Sequence, residues 1–164
     1  MPDRYSSADV LAGRAGKAEL IDIQAAARWV GGLQSEITAG RHTLVSDEPT
    51  VRGGEDAGPT PLQLVLAGLC ACETVTMRRL SRKLRIRIDS FEIGASAVID
   101  ARGRNAEAPV PAHFVKVEVR VRLRTAEPDD RVQRLKELVE GHCPVATLLL
   151  AAPLQFNSVW EKVP

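Results

Sequence analysis

Aromatic side chains make up only 4% of the 164 residues, too few for the stacking platforms on which single-stranded nucleic-acid binding depends. An excess of either charge is also missing: 22 Lys+Arg stand against 21 Asp+Glu. No global field would therefore hold the chain on nucleic acid or on an anionic membrane, and neither partner is expected. Long hydrophobic runs are absent too. The longest, Leu64 to Cys72, is less than half of the roughly 20 residues that span a bilayer as a helix. The first residues, MPDRYSSADV, lack the basic segment and apolar core of a secretory leader, so a cytoplasmic location is expected. The glycine fingerprints of dinucleotide and P-loop sites do not occur. With three histidines and no Gly-x-Ser-x-Gly elbow, a hydrolase triad is not expected either. The cysteines do not have the CxxC spacing through which two ligands converge on one zinc ion, so neither a metal nor another cofactor is expected.

What the chain does contain is 45% apolar residues, enough for one hydrophobic core. Residues 1–17 are polar and aperiodic and read as a loose N-terminal arm, leaving residues 18–164 as a single domain. Ala18 to Val30 reads as a strand entering the Gly31-Gly32 turn. Leu33 to Thr38 and Arg41 to Ser46, divided by Ala39-Gly40, complete a β-meander. Asp47 to Pro59 is polar and rich in Gly and Pro, and reads as a surface loop. Thr60 is placed to cap a helix with Pro61 at its first position, and helical spacing then runs from Leu62 to about Leu84. The first half of that helix is apolar all round, which demands enclosure by a larger core or a second subunit. Its second half carries Arg78, Arg79, Arg82, Lys83 and Arg85 and suits solvent.

Strict alternation follows over Phe91–Ile99 and Val115–Leu123, two strands with one buried face each, joined by a turn-rich linker and therefore expected to pair antiparallel. A helix opening at Pro128 and stopped by Gly141, a short helix from Cys143-Pro144 to Leu150, and a strand over Leu154–Trp160 complete the order. The fold class is α+β, an antiparallel sheet with one long helix.

Chemistry is sought at the thiols, because a cytosolic cysteine pair that oxidises is more often catalytic or redox-sensing than structural. Cys72 lies inside the apolar half of the long helix, where it can serve as a small buried hydrophobe or as a nucleophile. Cys70, two positions away, points to nearly the opposite side at about 100° per residue, so the two do not pair. Cys143 precedes Pro144 at a helix start, where free N–H groups favour a thiolate and lower its pKa. It too can be read as a simple cap. His142, its neighbour, reads as surface.

The run GPTPLQLVLAGLCAC from Gly58 to Cys72, with Asp47-Glu48-Pro49 and Gly53-Gly54 before it and His142-Cys143-Pro144-Val145 after it, resembles the OsmC/Ohr superfamily of osmotically inducible and organic hydroperoxide resistance proteins. The resemblance extends from about Ile21 to Trp160. It implies an OsmC-like fold in an intertwined homodimer, long helices at its centre and two sites at the interface. It also implies a peroxidatic thiol at Cys72, a resolving thiol at Cys143, an organic hydroperoxide as substrate and an external dithiol as reductant. Peroxidases of the superfamily activate the thiol with a Glu after the helix-opening Pro and an Arg after the first strand's Gly-Gly. The matching positions here hold Leu62 and Leu33, and Arg41, Arg52 and Glu55 are the candidates to replace them. The departure leaves a second reading in view, a non-peroxidatic relative that binds a small apolar ligand at its dimer interface or senses redox state.

Overall fold

The structure is a computed structural model that describes residues 6–14, 16–17 and 19–163, so residues 1–5 and 15 of the expected arm lie outside it, as does Ala18. The chain forms two compact units, Met1–Gly58 and Pro59–Pro164.

In the first unit a short helix, α1 (Ser7–Leu11), lies within the stretch read as loose. It is closed by a capping box in which Ser6 and Asp9 satisfy each other's backbone N–H. Local side-chain hydrogen bonds, invisible to hydrophobic periodicity, create it. The meander follows as β1 (Ala26–Gly31), β2 (Gln34–Ala39) and β3 (His42–Ser46), antiparallel throughout. Gly40, at φ +60°, takes the left-handed turn position between β2 and β3 that a side chain would resist. β1 begins later than its apolar Ala/Ile stretch suggests, because only Ala26 onward has a partner strand.

The loop after β3 is more organised than its polarity suggests. Asp47 is buried, and its carboxylate accepts the backbone N–H groups of Glu48, Glu55 and Ala57 at 2.8, 2.9 and 3.2 Å. These bonds hold its pKa below the ordinary carboxylate value, the Glu55 N–H foremost. A 3-10 turn, Thr50–Arg52, leads into the same knot. Gly54 is required there, since a Cβ would stand 1.8 Å from the Glu48 carbonyl oxygen. Gly54→Ala is therefore expected to destabilise the protein by about 2 kcal/mol or more, read from urea unfolding; an unchanged midpoint would mean the loop relaxes freely.

The second unit begins with α2 (Pro61–Leu84), closed by a capping box between Thr60 and Gln63. Beyond it come β4 (Ser90–Ile99), a single-turn helix α3 (Ala101–Arg104) inside the linker, β5 (Phe114–Arg124), α4 (Asp129–His142), α5 (Pro144–Leu150) and β6 (Gln155–Lys162). β5 is the middle strand of the second three-stranded sheet. Its inward residues Val117, Val119, Val121 and Leu123 are almost wholly buried, which explains the strict alternation of its sequence. They form one core with Leu69 and Met77 of α2 and Val132, Leu135 and Val139 of α4.

The α+β class and the long helix agree with the sequence reading. Two details differ. The strands form two three-stranded sheets, and β6 pairs with β5 in parallel. The parallel pairing arises because α4 and α5 carry the chain back along the sheet before β6 begins, the length of crossover that a parallel pair requires. α4 also runs through Gly141 to His142 and ends only where Pro144 forbids continuation.

Candidate functional site

α2 buries one stripe, Leu69, Glu73, Met77 and Ser81, spaced by four residues as a single helix face requires. Cys72 flanks this stripe on one side and Cys70 on the other; both are half-buried, and all three cysteines are free. α4 packs along α2. At one end of that contact Arg131 donates from Nη2 to the carbonyls of Leu84 (2.9 Å) and Arg85 (3.3 Å), capping the C-terminus of α2. At the other end lies the break between α4 and α5, where Cys143 sits.

Cys143 is fully buried. Its backbone N–H closes α4 on the Val139 carbonyl at 2.9 Å, and its Sγ accepts the Ala146 N–H at 3.5 Å, so it serves as the N-cap of α5. Cys72 packs against the core of which Cys143 is part, and it lies near enough to raise the pKa of the Cys143 thiol. Two sulfurs far apart in sequence, one mid-helix and one in an interhelical corner, are therefore brought close together. Cys70 takes no part, in keeping with its opposite direction.

The electrostatics of Cys143 run against the sequence reading. A cap position favours the thiolate, and the Ala146 N–H does act in that sense. Burial outweighs it, and with the neighbouring Cys72 adding to the rise the thiol is pushed up to about 11. Removing an anion from water costs more than one long hydrogen bond to a sulfur returns. No cation figures among the influences on this thiol.

The candidate activating residues belong to the other unit. Arg41 is exposed beside the β2–β3 turn, Arg52 is bound to Glu48 with Nε–Oε2 2.6 Å, and the backbone N–H of Glu55 serves Asp47. Leu33 is likewise in that unit and exposed, whereas Leu62 packs against the core of the second. His142 is exposed, its Nδ1 2.9 Å from the Leu138 carbonyl, and serves the end of α4.

Sequence reasoning missed two groups at this junction. Glu73, next to Cys72, is 1% exposed, and neither of its carboxylate oxygens has a hydrogen-bond partner. Burial, reinforced by repulsion from Glu140 of α4, pushes its pKa up to about 7. Cys70 beside it is raised as well, by burial and then by Glu73. Glu140 also has a buried oxygen without a hydrogen bond, Oε1, whose nearest cation is Lys136 Nζ at 3.8 Å. The signal in the sequence was Glu73 itself, the single charge between Pro61 and Met77. Among the described residues no group of His, Cys, Asp and Glu is arranged to hold a metal ion, and no helix is long and apolar enough to cross a membrane.

Comparison with known proteins places this geometry in a family setting. The family model described as OsmC-like protein matches residues 53–158. An OsmC-like protein of Mycoplasma pneumoniae superposes with a TM-score of 0.74 at 16% identity, covering 90% of this chain and 100% of its own. An organic hydroperoxide resistance protein of Elizabethkingia anophelis gives 0.68 at 18% identity, covering 90% and 100%. One from Legionella pneumophila, called organic hydroperoxide resistance protein OsmC, gives 0.63 at 21%, covering 88% and 99%. At these identities the likeness is one of fold. No curated protein matches the chain.

Proposed function

We propose, for a chain that belongs to the OsmC-like protein family, that it is a homodimeric thiol peroxidase reducing organic hydroperoxides. The observation that carries the reading is the proximity of Cys72 to Cys143: the one packs against the core that holds the other and raises its pKa. The reaction it suits is a two-electron one without a bound cofactor. The Cys72 thiolate attacks the distal oxygen of ROOH, the O–O bond breaks, and ROH leaves after taking up a proton. Cys72 is then a sulfenic acid. Cys143 attacks its sulfur, expelling water and forming the Cys72–Cys143 disulfide, and an external dithiol reduces that bond by exchange. Similar solved proteins carry the name organic hydroperoxide resistance protein, which supports the substrate class. Stopped-flow mixing of the reduced protein with cumene hydroperoxide is expected to consume thiol rapidly and to leave the link detectable by mass spectrometry. Slow reaction with no link would remove the proposal.

The dimer is supported by a face of α2 that this chain leaves uncovered. Gly68, Ala71 and Val75 lie along it, Val75 is 49% exposed, and the space around the Gly68 Cα is open. A stripe of small apolar residues lets a second helix approach closely, and burying it would remove a patch that a monomer leaves wet. Cys72 flanks this stripe, so a second copy would wall the thiol in apolar surface, where an alkyl chain gains about 25 cal/mol per Å² buried. Val75→Asp is expected to shift the protein from dimer to monomer in light scattering. A variant that remains dimeric would exclude this face as the interface.

A second reading keeps the scaffold without the peroxidase: the interface binds a small apolar molecule, or the thiols sense redox state. Leu62 at the helix start and the absence of a cation acting on Cys143 favour it. The stopped-flow measurement separates the two.

A further inference from the structure

The buried carboxyl beside the thiols has no role in the chemistry above. Glu73 lies in the buried stripe of α2, a helix that packs against both α4 and α5. From α4 it faces Glu140, whose own ion partner is Lys136. α5, whose N-cap is Cys143, carries no charged residue, and the inward residues of β4, Phe91, Ile93, Ala95 and Ala97, pack against the same core. On α2 itself its titratable neighbours are Cys70 and Cys72. Nothing in this set donates a hydrogen bond to its oxygens. No second copy of the chain reaches them without rearrangement, because the side chain is already sealed within one chain. An ionised carboxylate in such a place is costly, and it is relieved either by holding its proton or by admitting water.

We propose that Glu73 is a positioning residue for the thiol pair: uncharged, it lets α2 seat against the α4–α5 corner so that Cys72 and Cys143 stay close; ionised, it draws water into the corner and separates them. The proposal deepens the thiol reading above and rests on Cys72 and Cys143 forming a disulfide. Because Arg131 ties the far ends of α2 and α4 together, the loosening is confined to the thiol end. The consequence for stability has a definite sign. The raised pKa of Glu73 means that the native state holds a proton the unfolded chain releases, so stability falls with rising pH between about 4.5 and about 7 and is level above.

Glu73→Gln keeps the shape and stays neutral. Between pH 5 and 8 the wild-type melting temperature is expected to fall by roughly 5–10 °C more than that of the variant, and infrared difference spectra should lose one protonated carboxyl band on substitution. Closure of the Cys72–Cys143 disulfide is then driven by diamide, which takes up the two electrons and two protons that the thiols release. At pH 5.5 both proteins are expected to close at equal rates, and at pH 8 the variant should close several-fold faster. Glu140→Gln removes the neighbouring negative charge, lowers the Glu73 pKa and should shrink the wild-type fall in melting temperature, which tests the idea even where Glu73→Gln folds poorly. Parallel pH slopes, an unchanged infrared band or equal closure at pH 8 would each overturn the proposal. None of these readouts uses a hydroperoxide. An enzyme inert to cumene hydroperoxide that still shows them refutes the peroxidase reading and leaves this one standing.

Discussion

Cys72→Ser is expected to abolish consumption of organic hydroperoxide, and Cys143→Ser to preserve a single equivalent of it. The asymmetry follows from where each sulfur sits. Cys72 is half-buried on the flank of the α2 face assigned to the dimer interface, in the cleft that would admit a substrate, whereas Cys143 is sealed in the α4–α5 corner. Only the first can meet a peroxide before the other. Loss of the attacking sulfur removes the chemical step itself, so the rate should drop to that of a free surface thiol. Loss of the resolving sulfur stops the cycle at the sulfenic acid, which dimedone should trap quantitatively and only in that variant. Cys70→Ser should turn over like wild type, because its thiol points to the other side of α2 and stays protonated through burial and the nearby Glu73. Residual turnover by Cys72→Ser that vanishes in the Cys70, Cys72 double variant would reassign the nucleophile.

How much of this was legible beforehand depends on the range of the interactions involved. The Thr60 cap of α2, the turn at Gly40 and the alternation of β5 are written in residues a few positions apart, and the structure reproduces them. The nearness of Cys72 to Cys143 could be reached only through family resemblance, since no local pattern says that a mid-helix residue approaches a corner many residues later. Two features escaped because they are balances. Parallel β6 depends on where a two-helix crossover delivers the chain. The pKa of Cys143 depends on burial exceeding the pull of its cap, and a sequence displays the cap while hiding the burial. Glu73 was missed for a related reason. An acidic residue in an apolar helix reads as a solvated exception until packing shows its oxygens to be enclosed.

The raised Cys143 thiol makes the step that closes the disulfide strongly dependent on pH. With its pKa pushed up to about 11, the reactive thiolate at pH 7 is on the order of one molecule in ten thousand. In the Glu73→Gln background, which removes the carboxyl's own titration, double-mixing experiments that first form the Cys72 sulfenic acid should show closure quickening by about tenfold per pH unit from 6 to 9. The first step, attack on peroxide, draws on Cys72 and need not share that slope. Burial is the largest cause of the rise and persists when Cys72 is oxidised, whereas the contribution of the neighbouring thiol disappears. The closing limb should therefore bend somewhat below the pKa of the fully reduced protein, and the separation measures what Cys72 contributes. A flat profile would mean that Cys143 is already ionised in the sulfenic state. That ionisation would require a cation brought to the corner by a rearrangement, and where a second copy of the chain brings it, Val75→Asp, by removing that copy, should restore the slope.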